Sequence, residues 1–238
     1  MVSLLFSSVH SIELLMAVYE IIAFYKESEE EVKVQAERFA GLYGFHVRYE
    51  QYPSVASQSS VLVREETVVC LFERGQMNFC KLLRYVYGVK KPALIYSGQE
   101  TEEAYNCLRL PVGYLTENKE KAAWANFFLH NNRRAGVEVW TPKERDERIA
   151  GMVKDNLAFI EKVFTDSGVA YKTETADLSF EKLLKSLFRT SENATFFLML
   201  PFRLFPFFVP YNLRLYRRYA HTAVLLIPRD DKLYIPCH

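Results

Sequence analysis

The sequence predicts an α/β protein in which two parallel-sheet units follow one another, residues 1–100 and 105–238, the first of them truncated or degenerate. Three observations lead there. Short apolar runs alternate with amphipathic helical stretches through residues 107–228, and residues 17–98 repeat part of that order. The composition is that of a globular chain: 238 residues, 50% hydrophobic, 25% charged, formal net charge +1. Such a length can bury one large core or two smaller ones. The balanced charge leaves no electrostatic footprint for nucleic acid.

The second half is taken first because its pattern is cleaner. LRLPVGYL (108–115) reads as a strand, and NKEKAAWANFFLHNNRRA (118–135) as a helix with Ala122, Ala125, Phe128 and Leu129 on its apolar face. GVEVWTP (136–142) alternates like a strand and stops at Pro142. In residues 143–168, Ile149, Val153, Leu157, Ile160 and Phe164 recur at helical spacing, and Gly168 ends the run as a C-cap would. VAYKTETA (169–176) is the next strand. Residues 179–192 form an amphipathic helix with Ser179 placed to cap its start. NATFFLML (193–200) and HTAVLLIP (221–228) suit buried parallel strands, with 201–220 crossing between them.

In the first half, ESEEEVKVQAERFAGLYG (27–44) is a charged amphipathic helix that ends in glycine, followed by the strand FHVRYEQY (45–52). This pair reads like the helix–Gly168–strand passage of the second half. TVVCLFE (67–73) then matches ATFFLML, and residues 82–98 match the helix and last strand of the second half. Residues 54–66 are poor in helix signals, and the polar stretch 97–106 marks the join.

The apolar opening, residues 1–24, lacks a basic start and is interrupted by Glu13 and Glu20, so it reads as core rather than as a signal peptide. Residues 196–220 hold six phenylalanines and three prolines but no glycine. A membrane helix needs about 20 uninterrupted apolar residues. Here Arg203, Pro206 and Pro210 break the run and Arg214, Arg217 and Arg218 follow it, so no membrane span is expected. Cys70, Cys80, Cys107 and Cys237 form no C-x-x-C pair, which points to reduced thiols, a cytoplasmic location and no zinc site. The five histidines are scattered. Ser57, Ser59 and Ser60 have no adjacent base, so no catalytic residue and no metal ligand is assigned.

The order of elements in residues 107–228 resembles the universal stress protein family, and residues 17–98 resemble it more loosely. LPVGYLTENKEKA stands where that family has a first strand reading PVDGS followed by S/E-x-x-A. Ser167-Gly168-Val169 matches its G-V step, and His221 to Ile227 its last strand. The resemblance implies tandem Rossmann-like units of the adenine nucleotide alpha hydrolase-like type, a role in stress response, and ATP as the family's ligand. It also implies pairing of the final strands: KPALIYS with HTAVLLI inside one chain, with a homodimer as a further possibility.

The nucleotide chemistry of that family uses an acidic side chain at the end of the first strand and a G-x2-G-x9-G-[S/T] loop after the fourth. The equivalent positions here are Gly113 and Tyr114, Trp140 at the end of the second strand, and Pro201, Phe202 and Arg203 in the loop. Proline has no N–H to offer a phosphate, and no glycine follows Gly168. Gly75 and Gly88 reproduce the loop spacing by accident, Gly88 reading as the C-cap of FCKLLRYVY. The expectation is therefore a universal stress-like binding or scaffolding module without ATP or another cofactor. Two alternatives stand beside it. Arg203, or Arg214 with Arg217 and Arg218, would hold a modified nucleotide or other anion, or the aromatic surplus would line a pocket for an apolar small molecule.

Overall fold

The computed structural model describes residues 19–52, 64–75, 78–191, 193–200, 211–219 and 221–229. The elements run β1 (Glu20–Tyr25), α1 (Glu30–Tyr43), β2 (His46–Gln51), β3 (Thr67–Glu73), α2 (Phe79–Val89), β4 (Ala93–Tyr96), α3 (Glu102–Asn106) and β5 (Cys107–Pro111). They continue with α4 (Asn118–Asn131), β6 (Gly136–Pro142), α5 (Glu147–Asp166), β7 (Tyr171–Ala176), α6 (Phe180–Thr190), β8 (Thr195–Met199), α7 (Tyr211–Tyr219) and β9 (Val224–Ile227). This is the expected mixed α/β order.

All the described strands join one sheet, ordered β2-β1-β3-β4-β9-β8-β5-β6-β7. Every neighbouring pair is parallel except β4 and β9, which run antiparallel with Ala93, Leu94 and Ile95 opposite Leu226, Leu225 and Val224. The expected pairing of KPALIYS with HTAVLLI is thus made inside the chain. Inner strands such as ALIY and VLLI are buried on both faces, which is why they read as unbroken apolar runs. The edge strands β2 and β7 carry polar and charged residues, including Arg48, Glu50, Lys172 and Glu174.

Strand side chains alternate between two layers of helices. On one face Ile21, Leu71, Leu94, Leu110, Phe197 and Leu225 pack under α1, α3, α4 and α5. On the other, Ile22, Phe72, Ile95, Leu198 and Leu226 pack under α2, α6 and α7. Both layers draw on residues from either side of the β4–β9 pair. Phe128 of α4 meets Tyr43 of α1 edge to face at 5.0 Å and Phe39 at 6.0 Å. Contacts of this kind contribute about 1 kcal/mol each beyond the area they bury.

Local chemistry sets several boundaries. Asp146 starts α5, its carboxylate accepting the Ile149 N–H at 3.0 Å. Gly44 ends α1 in the left-handed region (φ +69°), its N–H bonded to the Ala40 carbonyl.

Three expectations are corrected. FHVRYEQY lies beside β1 as GVEVWTP lies beside β5, so its counterpart by position is β6 and not β7. Sheet position is decided by which strands a helix connects, whereas the glycine that ended both helices reports only how a helix stops. The stretch 97–106, expected to be a turn-rich join, contains the helix α3, with Ala104 and Tyr105 fully buried. Gly88 is inside α2, and the cap is Lys90, at φ +57°.

Candidate functional site

The chain leaves β5 toward β6 on one side and later returns to β8 on the other, so the carboxyl ends of β5 and β8 flank a switch in strand order. A cavity of about 370 Å³ lies there. Its described lining comes from the loop after β5, the first turn of α4, the start of α6, the end of β8 and the start of α7.

The loop after β5 is tied down by two buried amides. Asn156, on α5 and 2% exposed, donates to the Gly113 and Leu115 carbonyls at 2.9 Å each. Asn118, opening α4, donates to the same two carbonyls at 3.3 and 2.7 Å. Gly113 approaches Phe180 closely: a Cβ at this position would lie 3.3 Å from the ring, which would have to shift by a few tenths of an ångström. The Phe180 ring thus lies against the bare backbone at Gly113.

Apolar groups form much of the remaining wall: Leu115, Phe180, Leu184, Leu198, Met199 and Leu200. Charged groups are present but mostly engaged. Glu117 accepts from the Arg229 guanidinium at 2.6 Å, and Glu181 accepts the Tyr211 hydroxyl. Asn212 donates to the Met199 carbonyl at 3.4 Å, fastening the start of α7 to the end of β8.

Lys121 differs from these. It is 2% exposed, lines the cavity, and donates from Nζ to the Pro111 carbonyl. Burial disfavours its charged form and pulls its pKa from the usual lysine value down to about 7.

Gly113 and Tyr114 line this cavity. Trp140 does not stand among the lining residues: half-buried, it packs with the α6–α7 layer, and its indole N–H reaches the Glu138 carboxylate at 3.4 Å. Pro201, Phe202 and Arg203 lie outside the described residues, whereas Leu200 and Tyr211 on either side of that stretch both line the cavity. Arg214, Arg217 and Arg218 are exposed on α7. Asn118, Lys121, Asn156 and Phe180 were not singled out from the sequence. A signal for the first two was present, because positions 118, 121, 122, 125, 128 and 129 fall on one helical stripe, and an amide and an amine on an otherwise apolar stripe are unusual.

Among the described residues no group of three or more His, Cys, Asp or Glu side chains could hold a metal ion, and no helix is long and apolar enough to cross a membrane.

No protein-family model matches the chain, and no curated protein matches its sequence. Solved structures do. A universal stress protein from Archaeoglobus fulgidus DSM 4304 is similar at a TM-score of 0.53 and 14% identity, over 89% of this chain and 88% of that one. A protein assigned to the universal stress proteins from Pseudomonas aeruginosa UCBPP-PA14 is similar at 0.50 and 11% identity, over 90% and 84%. A protein of unknown function from Pseudomonas aeruginosa PAO1 is similar at 0.50 and 10% identity, over 90% and 83%. The fold is therefore Rossmann-type and like that of universal stress proteins.

Proposed function

We propose that this chain is a universal stress-like protein that acts without ATP, as a binding module whose cavity takes a small, mainly apolar molecule. The observation that carries the reading is the wall of the cavity at the ends of β5 and β8. Leucines, a methionine and Phe180 line it, and the Phe180 ring closes on Gly113 where an acidic group would be needed for adenosine. A cavity of about 370 Å³ falls at the small end of the range that holds organic ligands. Any stress-associated role belongs to this reading through the fold it shares with universal stress proteins.

The test pairs two titrations of the purified protein. Calorimetry with magnesium-ATP is expected to give no binding at micromolar concentrations. The neutral fluorescent probe N-phenyl-1-naphthylamine is expected to bind saturably, and to be excluded by Leu198→Arg, which puts a charge into the cavity wall. Micromolar ATP affinity that disappears in Arg203→Ala would overturn the reading and favour an anionic ligand held by arginine.

A further inference from the structure

We propose that Lys121 captures carbonyl compounds with apolar bodies as a reversible covalent imine inside the cavity. The inference rests on the apolar-binding reading and adds to it the class of ligand.

Lys121 is the one amine among the described lining residues. An ammonium has three N–H groups to satisfy, and Nζ has the Pro111 carbonyl as its hydrogen-bond acceptor. Neither carboxylate in the cavity wall serves it, since Glu117 is paired with Arg229 and Glu181 with the Tyr211 hydroxyl. Its place in the first turn of α4, near the positive end of the helix dipole, further disfavours a cation. A neutral amine fits this setting: one N–H goes to Pro111 and the lone pair stays available. Desolvated neutral lysines are the nucleophiles that condense with carbonyls. Leu115, Leu184, Leu198 and Leu200 supply the surface against which an alkyl or aryl body would be buried.

The step balances without a further reactant. The Nζ lone pair attacks the carbonyl carbon, and the C=O π pair moves to oxygen, which takes a proton. The resulting carbinolamine then loses its hydroxyl with a proton as water, leaving the carbon–nitrogen double bond. One aldehyde and one amine give one imine and one water, and hydrolysis reverses the reaction.

The experiment treats the full chain at pH 7 with hexanal and sodium cyanoborohydride, which reduces an imine to a stable secondary amine. Modified lysines are then mapped by peptide mass spectrometry. The expected result is a hexyl adduct on Lys121 forming at least about tenfold faster than on any exposed lysine, since an amine with the ordinary lysine pKa of about 10.4 is a poor nucleophile at this pH. Lys121→Met and Lys121→Arg should both lose that adduct, since neither side chain carries an amine that can form an imine. Binding of N-phenyl-1-naphthylamine to the wild-type protein is measured in parallel. If the naphthylamine binds but labelling falls only on exposed lysines, the imine is refuted and the apolar cavity stands. If neither occurs, both are refuted. Adducts at Lys121 without naphthylamine binding support the imine and refute the broader apolar reading.

Discussion

Asn156 reaches from α5 to the loop after β5 and gives each hydrogen of its amide to a different carbonyl, at 2.9 Å in both cases. Replacing it with leucine keeps the branched shape but removes both donors, and should lower stability by about 1–3 kcal/mol in urea denaturation. Gly113→Asp, which introduces an acidic residue, should destabilise by a similar amount of about 1–3 kcal/mol because the new side chain meets Phe180. Adding Phe180→Ala should recover part of that loss, and if it recovers none the ring is not the obstacle. Lys121 makes stability depend on pH with a definite sign. Its folded pKa of about 7 lies far below that of an unfolded lysine, so above pH 7 the unfolded chain holds a proton that the folded chain has released. Stability should therefore rise with pH by up to about 1.4 kcal/mol per unit between pH 7 and 9. Beyond about pH 9 the direction reverses. Burial raises Cys70 to about 12 and holds Tyr43, Tyr85, Tyr96, Tyr105 and Tyr216 above the usual tyrosine range, so the folded chain keeps protons that the unfolded chain loses. Denaturation of wild type and Lys121→Met across pH 6 to 9 tests this, and equal slopes for the two proteins would refute it.

At the scale of elements, periodicity and apolar runs were readable from the sequence because burial imposes them locally. ALIY, TFFLM and VLLI had to be buried strands, and the stripe through Ala122, Ala125, Phe128 and Leu129 had to face the sheet. The neighbour of a strand was not readable in the same way. HVRYEQ carries no residue that distinguishes the second position of such a sheet from the third, and the left-handed glycine found at the end of α1 and just after α5 does not separate the two helices either. The candidate site is legible only in part. Gly113 and Tyr114 follow from the resemblance, whereas Lys121 and Asn118 belong to no motif and show themselves only through their register on the inner stripe of α4. One contact between distant elements invites its own test. Arg74, just past β3, donates to the Arg217 carbonyl at 2.6 Å and lies 5.5 Å from the Tyr216 ring, fastening the end of α7. Arg74→Ala should cost about 1–2 kcal/mol and speed amide hydrogen exchange in the last turn of α7 first.

For the whole molecule, the antiparallel β4–β9 pair takes both of these strands out of reach of a second chain. Both final strands have partners on each side, β3 and β9 for β4, and β4 and β8 for β9, so neither offers an edge to another chain. The remaining edges, β2 and β7, carry charges that oppose strand addition. Light scattering should give the mass of a monomer, 27.8 kDa for this chain, and a stable dimer would show that another surface joins two copies. The closed pair also changes how sequence variation acts. In a homodimer each substitution is installed twice, at positions related by symmetry. In one continuous chain an alteration on one side of the pair leaves the other untouched, and here the two sides differ, with four described strands on one and five on the other. A substitution on one side can therefore change that side's packing with no matching change on the other.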